Sequence, residues 1–92
     1  MEEVLFESEK RQSRSETAEM LRAVADKLDA GESVSLSAGE QSVTLTVPET
    51  HTFEVKAERE TGGGESELSV EFELEWDENG ESGDGDASLD IA

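Results

Sequence analysis

The 92-residue sequence contains no cysteine, no tyrosine, and one residue each of histidine, proline and tryptophan. Without cysteine the chain has neither disulfides nor thiolate chemistry, and one histidine cannot complete a zinc site of the usual kind. No apolar run approaches the ~20 residues that cross a bilayer, and no secretory signal is recognised. We therefore predict a cytoplasmic protein that has no cofactor, binds no metal and does not enter a membrane.

Motifs of the common catalytic classes are also missing. The sequence has no nucleophile elbow of the form G-x-S-x-G and no glycine-rich phosphate loop. Its one run of glycines, Gly62 to Gly64, stands where a hairpin turn is expected. Serines are plentiful, but none has a convincing histidine–carboxylate pair to activate it. We predict that the protein is not an enzyme.

Positive charge is scarce: 25 acidic residues face 7 basic ones, which gives a net charge of −18. Such a density of like charge opposes compaction at ordinary ionic strength. At about 1 M salt the Debye length falls to roughly 3 Å and screens most of this repulsion. An acidic disordered or nucleic-acid-mimicking protein in ordinary salt is the alternative, but acidic residues that alternate regularly with apolar ones are not typical of acidic disordered segments. The balance favours adaptation to a high-salt cytoplasm.

Apolar periodicity predicts one helix and five strands. A first strand is expected over residues 1–8, around Val4, Leu5 and Phe6, and an amphipathic helix over 13–30, where Ser13 and Glu16 have capping-box spacing. Beyond Gly31 the period becomes two, with strands near 33–37, 43–47, 53–58 and 67–76. The predicted fold is α+β in the order β-α-β-β-β-β, an antiparallel sheet with the helix packed on one face.

Residues 79–92 differ in composition from the rest, being rich in glycine and acidic residues. We predict one domain over 1–78 and a disordered acidic tail over 79–92. Part of this region, Glu75 to Asp86, partly matches a calcium-binding loop. The first and last ligands depart from that pattern and no flanking helices are expected, which argues against a calcium site.

The order of segments resembles that of the Amphi-Trp domain, a small family common in haloarchaea and named for an amphipathic last strand closed by a tryptophan. The matching segments are SEKRQSRSE, ADKLDAG, SVTLTVP, TFEVKAERE and ELSVEFELEWDE. The resemblance covers about residues 1–78 and implies a salt-adapted cytoplasmic protein. It implies no activity, because the family has no established function.

Two surfaces are candidate binding sites. Lys10, Arg11 and Arg14 concentrate three of the seven positive charges at the predicted helix N-terminus, where anions are favoured. They are candidates for binding a phosphate, nucleotide or nucleic acid, although the net charge makes nucleic acid an unfavourable partner. The alternative is that they pair with neighbouring glutamates.

The apolar side of the last strand is the other candidate surface. Phe72, Leu74 and Trp76 alternate with glutamates, and aromatic residues are enriched at protein interfaces. Trp76 could instead cover the edge of the core, with its indole N–H bonded to an acceptor. We predict a small interaction module that forms a homodimer through this side and also meets an unidentified protein partner. Anion binding at the basic cluster is the alternative function.

Overall fold

The computed structural model describes residues 1–78 and confirms the α+β class. One helix, α1 (Arg14–Ala30), is followed by strands β1 (Val34–Ala38), β2 (Gln41–Leu45), β3 (Thr52–Gly62) and β4 (Glu65–Glu75). The predicted tail, 79–92, and most of the segment that partly matches a calcium-binding loop lie outside the described residues. The chain divides into two compact units, Met1–Val47 and a second that begins at Pro48.

Helix α1 begins and ends at the residues that the sequence indicated. The Ser13 hydroxyl accepts a hydrogen bond from the Glu16 amide, and the Glu16 carboxylate accepts one from the Ser13 amide, so the predicted capping box is formed. Gly31 ends the helix with φ +72°, a left-handed conformation that suits glycine. Within the first unit the helix packs against β1.

Strands β1 and β2 form an antiparallel hairpin in which Ala38 pairs with Gln41 across a two-residue turn. Gly39 is the first turn residue and has φ +59°, as a type II′ turn requires. Two hydroxyl pairs, Ser33–Thr46 at 2.8 Å and Ser35–Thr44 at 3.0 Å, join the strands on their exposed side.

The first strand predicted over residues 1–8 does not form. Residues 1–13 have no helix or strand, and the segment is held to β2 by a side chain instead of a backbone ladder. The Glu7 amide donates to Gln41 Oε1 at 3.2 Å, and Gln41 Nε2 donates to the Glu7 carbonyl at 3.0 Å. One glutamine amide thus satisfies both backbone groups that a neighbouring strand would have bonded.

Strands β3 and β4 form a second, longer antiparallel hairpin. Gly62 pairs with Glu65 across Gly63 and Gly64, whose φ angles of +61° and +88° give the type I′ turn that suits a two-residue connection. This turn fixes the register over all eleven pairs, down to Thr52 opposite Glu75.

The predicted single sheet is replaced by two separate sheets of two strands each within residues 1–78. No residue in this part of the chain is fully buried. Strand periodicity showed which residues share a side, but it does not determine which hairpins join. The described chain therefore has no closed hydrophobic core of its own.

Candidate interaction surface

Cross-strand pairing places the apolar residues of the second hairpin on one side. Residues directly opposite in an antiparallel ladder project to the same side of it. Phe53 pairs with Leu74, Val55 with Phe72, Ala57 with Val70 and Arg59 with Leu68. We call these eight residues the apolar hairpin face. Arg59 is its one charged member.

Much of the apolar hairpin face is open to solvent. Leu68 exposes 75% of its surface, Val70 58%, Phe72 47% and Phe53 40%, whereas Val55 and Leu74 are half-buried. The rings of Phe53 and Phe72 stack across the strands, with centroids 6.3 Å apart and planes 11° from parallel. The stacked rings form an aromatic patch on this face.

The three predicted interface residues come together at this face. Phe72 and Leu74 belong to it, and Trp76 follows the last ladder residue by one position, in the same alternating series. Trp76 is half-buried, and its indole N–H has no hydrogen-bond partner within residues 1–78. The acceptor expected if Trp76 merely covered the edge of a core is therefore absent from the described chain.

The other side of this hairpin carries a row of carboxylates, which we call the carboxylate face. Glu54 lies directly opposite Glu73, and Glu60 lies directly opposite Glu67. Lys56 lies opposite Glu71 and forms an ion pair with its carboxylate at 3.9 Å. The carboxylate face also includes Glu58, Glu65, Glu75 and Ser69.

Three carboxylates crowd at the open end of this row. The carboxylate oxygens of Glu54, Glu73 and Glu75 lie within 4.8 Å of one another. A hydrogen bond with Glu54 and the charges of Glu75, Glu54 and Glu71 raise the pKa of Glu73 above its ordinary value. The three carboxylates could supply part of the six to eight oxygen ligands that Ca²⁺ takes. The sequence alone did not indicate this cluster, because Glu54 lies on a different strand from Glu73 and Glu75 and only the register of β3 and β4 brings the three together.

The basic cluster occupies the start of the first unit. Lys10 and Arg11 precede the helix, Arg14 is its first residue, and all three are exposed. None of them makes an ion pair within residues 1–78, so the alternative of pairing with neighbouring glutamates is not found there. The Glu16 carboxylate already accepts the Ser13 amide at 3.0 Å. It thus takes one of the donors that an external anion would use, and anion binding stays a prediction.

The first unit also has an open groove of about 460 Å³ between the N-terminal segment, α1 and β1. Its apolar lining includes Phe6, Met20, Val24 and Leu36. Lys27 lines it as well, but its Nζ is bonded to Glu32 at 3.2 Å. The groove shows that the helix covers β1 incompletely.

The remaining sequence features have simple structural roles. Nδ1 of His51 lies 3.1 Å from the Pro48 carbonyl, so the histidine closes the loop before β3. Among residues 1–78, α1 is too short and too polar to cross a membrane.

The family model of the Amphi-Trp domain matches residues 1–92, a range that includes the segment set apart in sequence as a tail. No curated protein and no solved structure is significantly similar to the chain.

Proposed function

The chain belongs to the Amphi-Trp domain family, which has no established function, and from that premise we propose that it is a non-enzymatic interaction module that works as a homodimer. The observation that carries the proposal is the exposed apolar hairpin face. The dimer contact is this face on each of two copies, with Phe72, Leu74 and Trp76 among its residues.

The hairpin is expected to be more stable when a second apolar surface packs against this face. A hairpin of two strands is at best marginally stable in water and needs a further apolar layer. Within residues 1–78 no residue is fully buried, so the described chain does not supply a closed core. Contiguous apolar surface of this kind, surrounded by charge, is typical of protein contacts.

The net negative charge limits which surfaces of two copies can form the dimer contact. The chain carries a net charge of −18, and two copies repel each other wherever carboxylates meet. The apolar hairpin face carries a single charge, that of Arg59. Two copies can therefore approach through this face with little electrostatic cost, above all in the high-salt cytoplasm to which we assign the protein.

Sedimentation velocity in multimolar KCl tests the proposal. We expect the wild type to sediment as a dimer and Phe72→Glu to sediment as a monomer, because a carboxylate would be desolvated in the contact. Ser69→Glu is the matched control: it adds the same charge to the carboxylate face of the same strand and should remain a dimer.

The folded state of each variant is checked by circular dichroism. Leu68→Glu is a second disrupting variant, since Leu68 is 75% exposed and contributes little to the single chain. A wild-type protein that stays monomeric up to high concentration would refute the homodimer. Equal dissociation of Ser69→Glu and Phe72→Glu would show that the apolar hairpin face is not the contact.

A further inference from the structure

We infer that the two copies stack antiparallel, apolar hairpin face on apolar hairpin face, about a two-fold axis at Phe72. This inference rests on the proposed homodimer and adds the geometry of the contact. In it, Arg59 of each copy reaches Trp76 of the other.

The register divides the apolar hairpin face into rows along the hairpin. From the turn downwards, the rows are Arg59–Leu68, Ala57–Val70, Val55–Phe72 and Phe53–Leu74, with Trp76 one row further. Successive rows are two residues apart, about 6.8 Å along the strands. The row of Val55 and Phe72 is the middle one of the five.

Side-chain size changes along these rows. The row above the middle is small, with Ala57 and Val70, and the row below it is large, with Phe53 and Leu74. Parallel stacking would place large on large and small on small, leaving a gap at one end and a clash at the other. Antiparallel stacking places Ala57 on Phe53 and fills the layer evenly.

A closed two-fold arrangement follows from the same rows. Rotation about an axis through the middle row lays β4 of one copy over β4 of the other, in opposite directions. Val70 then faces Leu74, and Phe72 faces Phe72. Each contact away from the axis occurs twice, the Phe72 contact on the axis occurs once, and the assembly closes at two copies.

Charge favours the same orientation. Parallel stacking would bring the two Arg59 guanidinium groups into one row between the faces. Antiparallel stacking separates them by four rows, about 27 Å along the strands. Each guanidinium then lies beside the row that contains Trp76 of the second copy, where the indole face attracts a cation.

Cross-linking measures the orientation directly, because the chain has no cysteine of its own. Val70→Cys and Leu74→Cys chains are prepared separately and as a mixture that is unfolded and refolded together in multimolar KCl. A short bismaleimide is then added. Facing sheets lie about 10 Å apart, so the antiparallel dimer brings position 70 within about 10 Å of position 74 and leaves identical positions about 17 Å apart.

We expect cross-linked dimers from the mixture and little from either variant alone. Cross-linking of each variant alone, but not between them, would overturn the antiparallel arrangement and leave the homodimer standing. No cross-link from a protein that sediments as a dimer would place the contact elsewhere and overturn the inference. A monomer in sedimentation would refute the proposed function itself. Ser69→Cys, on the carboxylate face, is the control and should not cross-link.

The contact of Arg59 with Trp76 has its own readout, since the chain has one tryptophan. We expect Trp76 emission to shift to the red on dilution into monomers. Arg59→Gln should weaken the dimer roughly 5- to 30-fold, as expected for the loss of two cation–aromatic contacts. An Arg59→Gln dimer with unchanged affinity and an unchanged emission spectrum would refute this contact.

Discussion

Glu73 has the least favourable electrostatic position described on the carboxylate face. It lies opposite Glu54, with Glu71 and Glu75 two positions away on the same side, and its pKa is raised. A raised pKa means that the folded chain holds this proton more tightly than the unfolded chain. The stability that this carboxyl contributes therefore falls as the pH rises from its ordinary 4.5 through the raised value.

Glu73→Gln should consequently stabilise the hairpin at neutral pH and low salt, because it removes the repulsion and keeps a hydrogen-bonding side chain. The gain should vanish at a pH below the ordinary pKa of the carboxyl, where Glu73 is protonated in both states. It should also vanish in multimolar KCl. Urea unfolding of both chains across this pH range measures the difference.

Glu58→Gln is the control, since Glu58 faces Ser69 and not another carboxylate. It should change the dependence of stability on pH much less than Glu73→Gln does. Parallel pH curves for the wild type and Glu73→Gln would show that the charges around Glu73 do not destabilise the folded chain.

At the scale of elements, the N-terminal segment is fastened to β2 through Gln41. Gln41→Ala removes both hydrogen bonds to Glu7, each worth about 1 kcal/mol or less at an exposed site. We expect a small loss of stability and a clear loss of hydrogen-exchange protection at the Glu7 amide. Exchange followed by NMR measures that protection residue by residue.

Gln41→Glu separates the two bonds, because a carboxylate can accept from the Glu7 amide but cannot donate to its carbonyl. Glu40→Ala, in the adjacent turn, should leave the exchange of Glu7 as in the wild type. If the Glu7 amide exchanges equally fast in the wild type and Gln41→Ala, the segment is not held in this way.

The sequence predicted the ends of the helix and the position of the second turn well, because capping and turn residues determine these features locally. Ser13, Glu16 and Gly31 set the helix within one residue of its observed ends. The glycines after Thr61 marked the second turn, although β3 continues to Gly62 before the chain reverses. These signals work because the residues bond to backbone within a few positions.

Longer-range pairing could not be predicted in this way. Val4, Leu5 and Phe6 looked like a strand, but the Gln41 side chain takes the place of a neighbouring strand. The crowding around Glu73 and the make-up of the apolar hairpin face depend on which residues of β3 and β4 lie opposite each other. Alternation gives the side of each residue, and the turn must be known before partners can be assigned.

At the scale of the whole molecule, net charge should govern stability. Residues 62–92 contain eleven acidic residues and no basic one, so negative charge is concentrated in the last third of the chain. Between 0.1 M and 1 M salt the Debye length falls from about 10 Å to about 3 Å. We expect the unfolding temperature to rise steeply over that range of KCl and to rise more gently above it.

A chain in which Glu54, Glu60, Glu67 and Glu73 are all replaced by glutamine removes both directly opposed pairs. Its unfolding temperature should depend less on KCl than that of the wild type, while a chain with four glutamines outside the hairpin should stay closer to the wild type. If the two glutamine chains respond equally to KCl, and both less than the wild type, specific carboxylate pairs do not matter and total charge alone sets the effect.

The directly opposed glutamates also affect the tendency of the hairpin to polymerise. Within residues 1–78, β3 and β4 each pair on one side only, so the ribbon has two unpaired edges to which further copies could add strands. In such a cross-β fibril, β3 and β4 strands would both recur along the filament, and carboxylates in matching rows would follow one another at the strand spacing of about 4.8 Å. Ionised carboxylates at that spacing oppose growth. We therefore expect the charges that weaken a single hairpin to oppose polymerisation as well, most strongly at low salt.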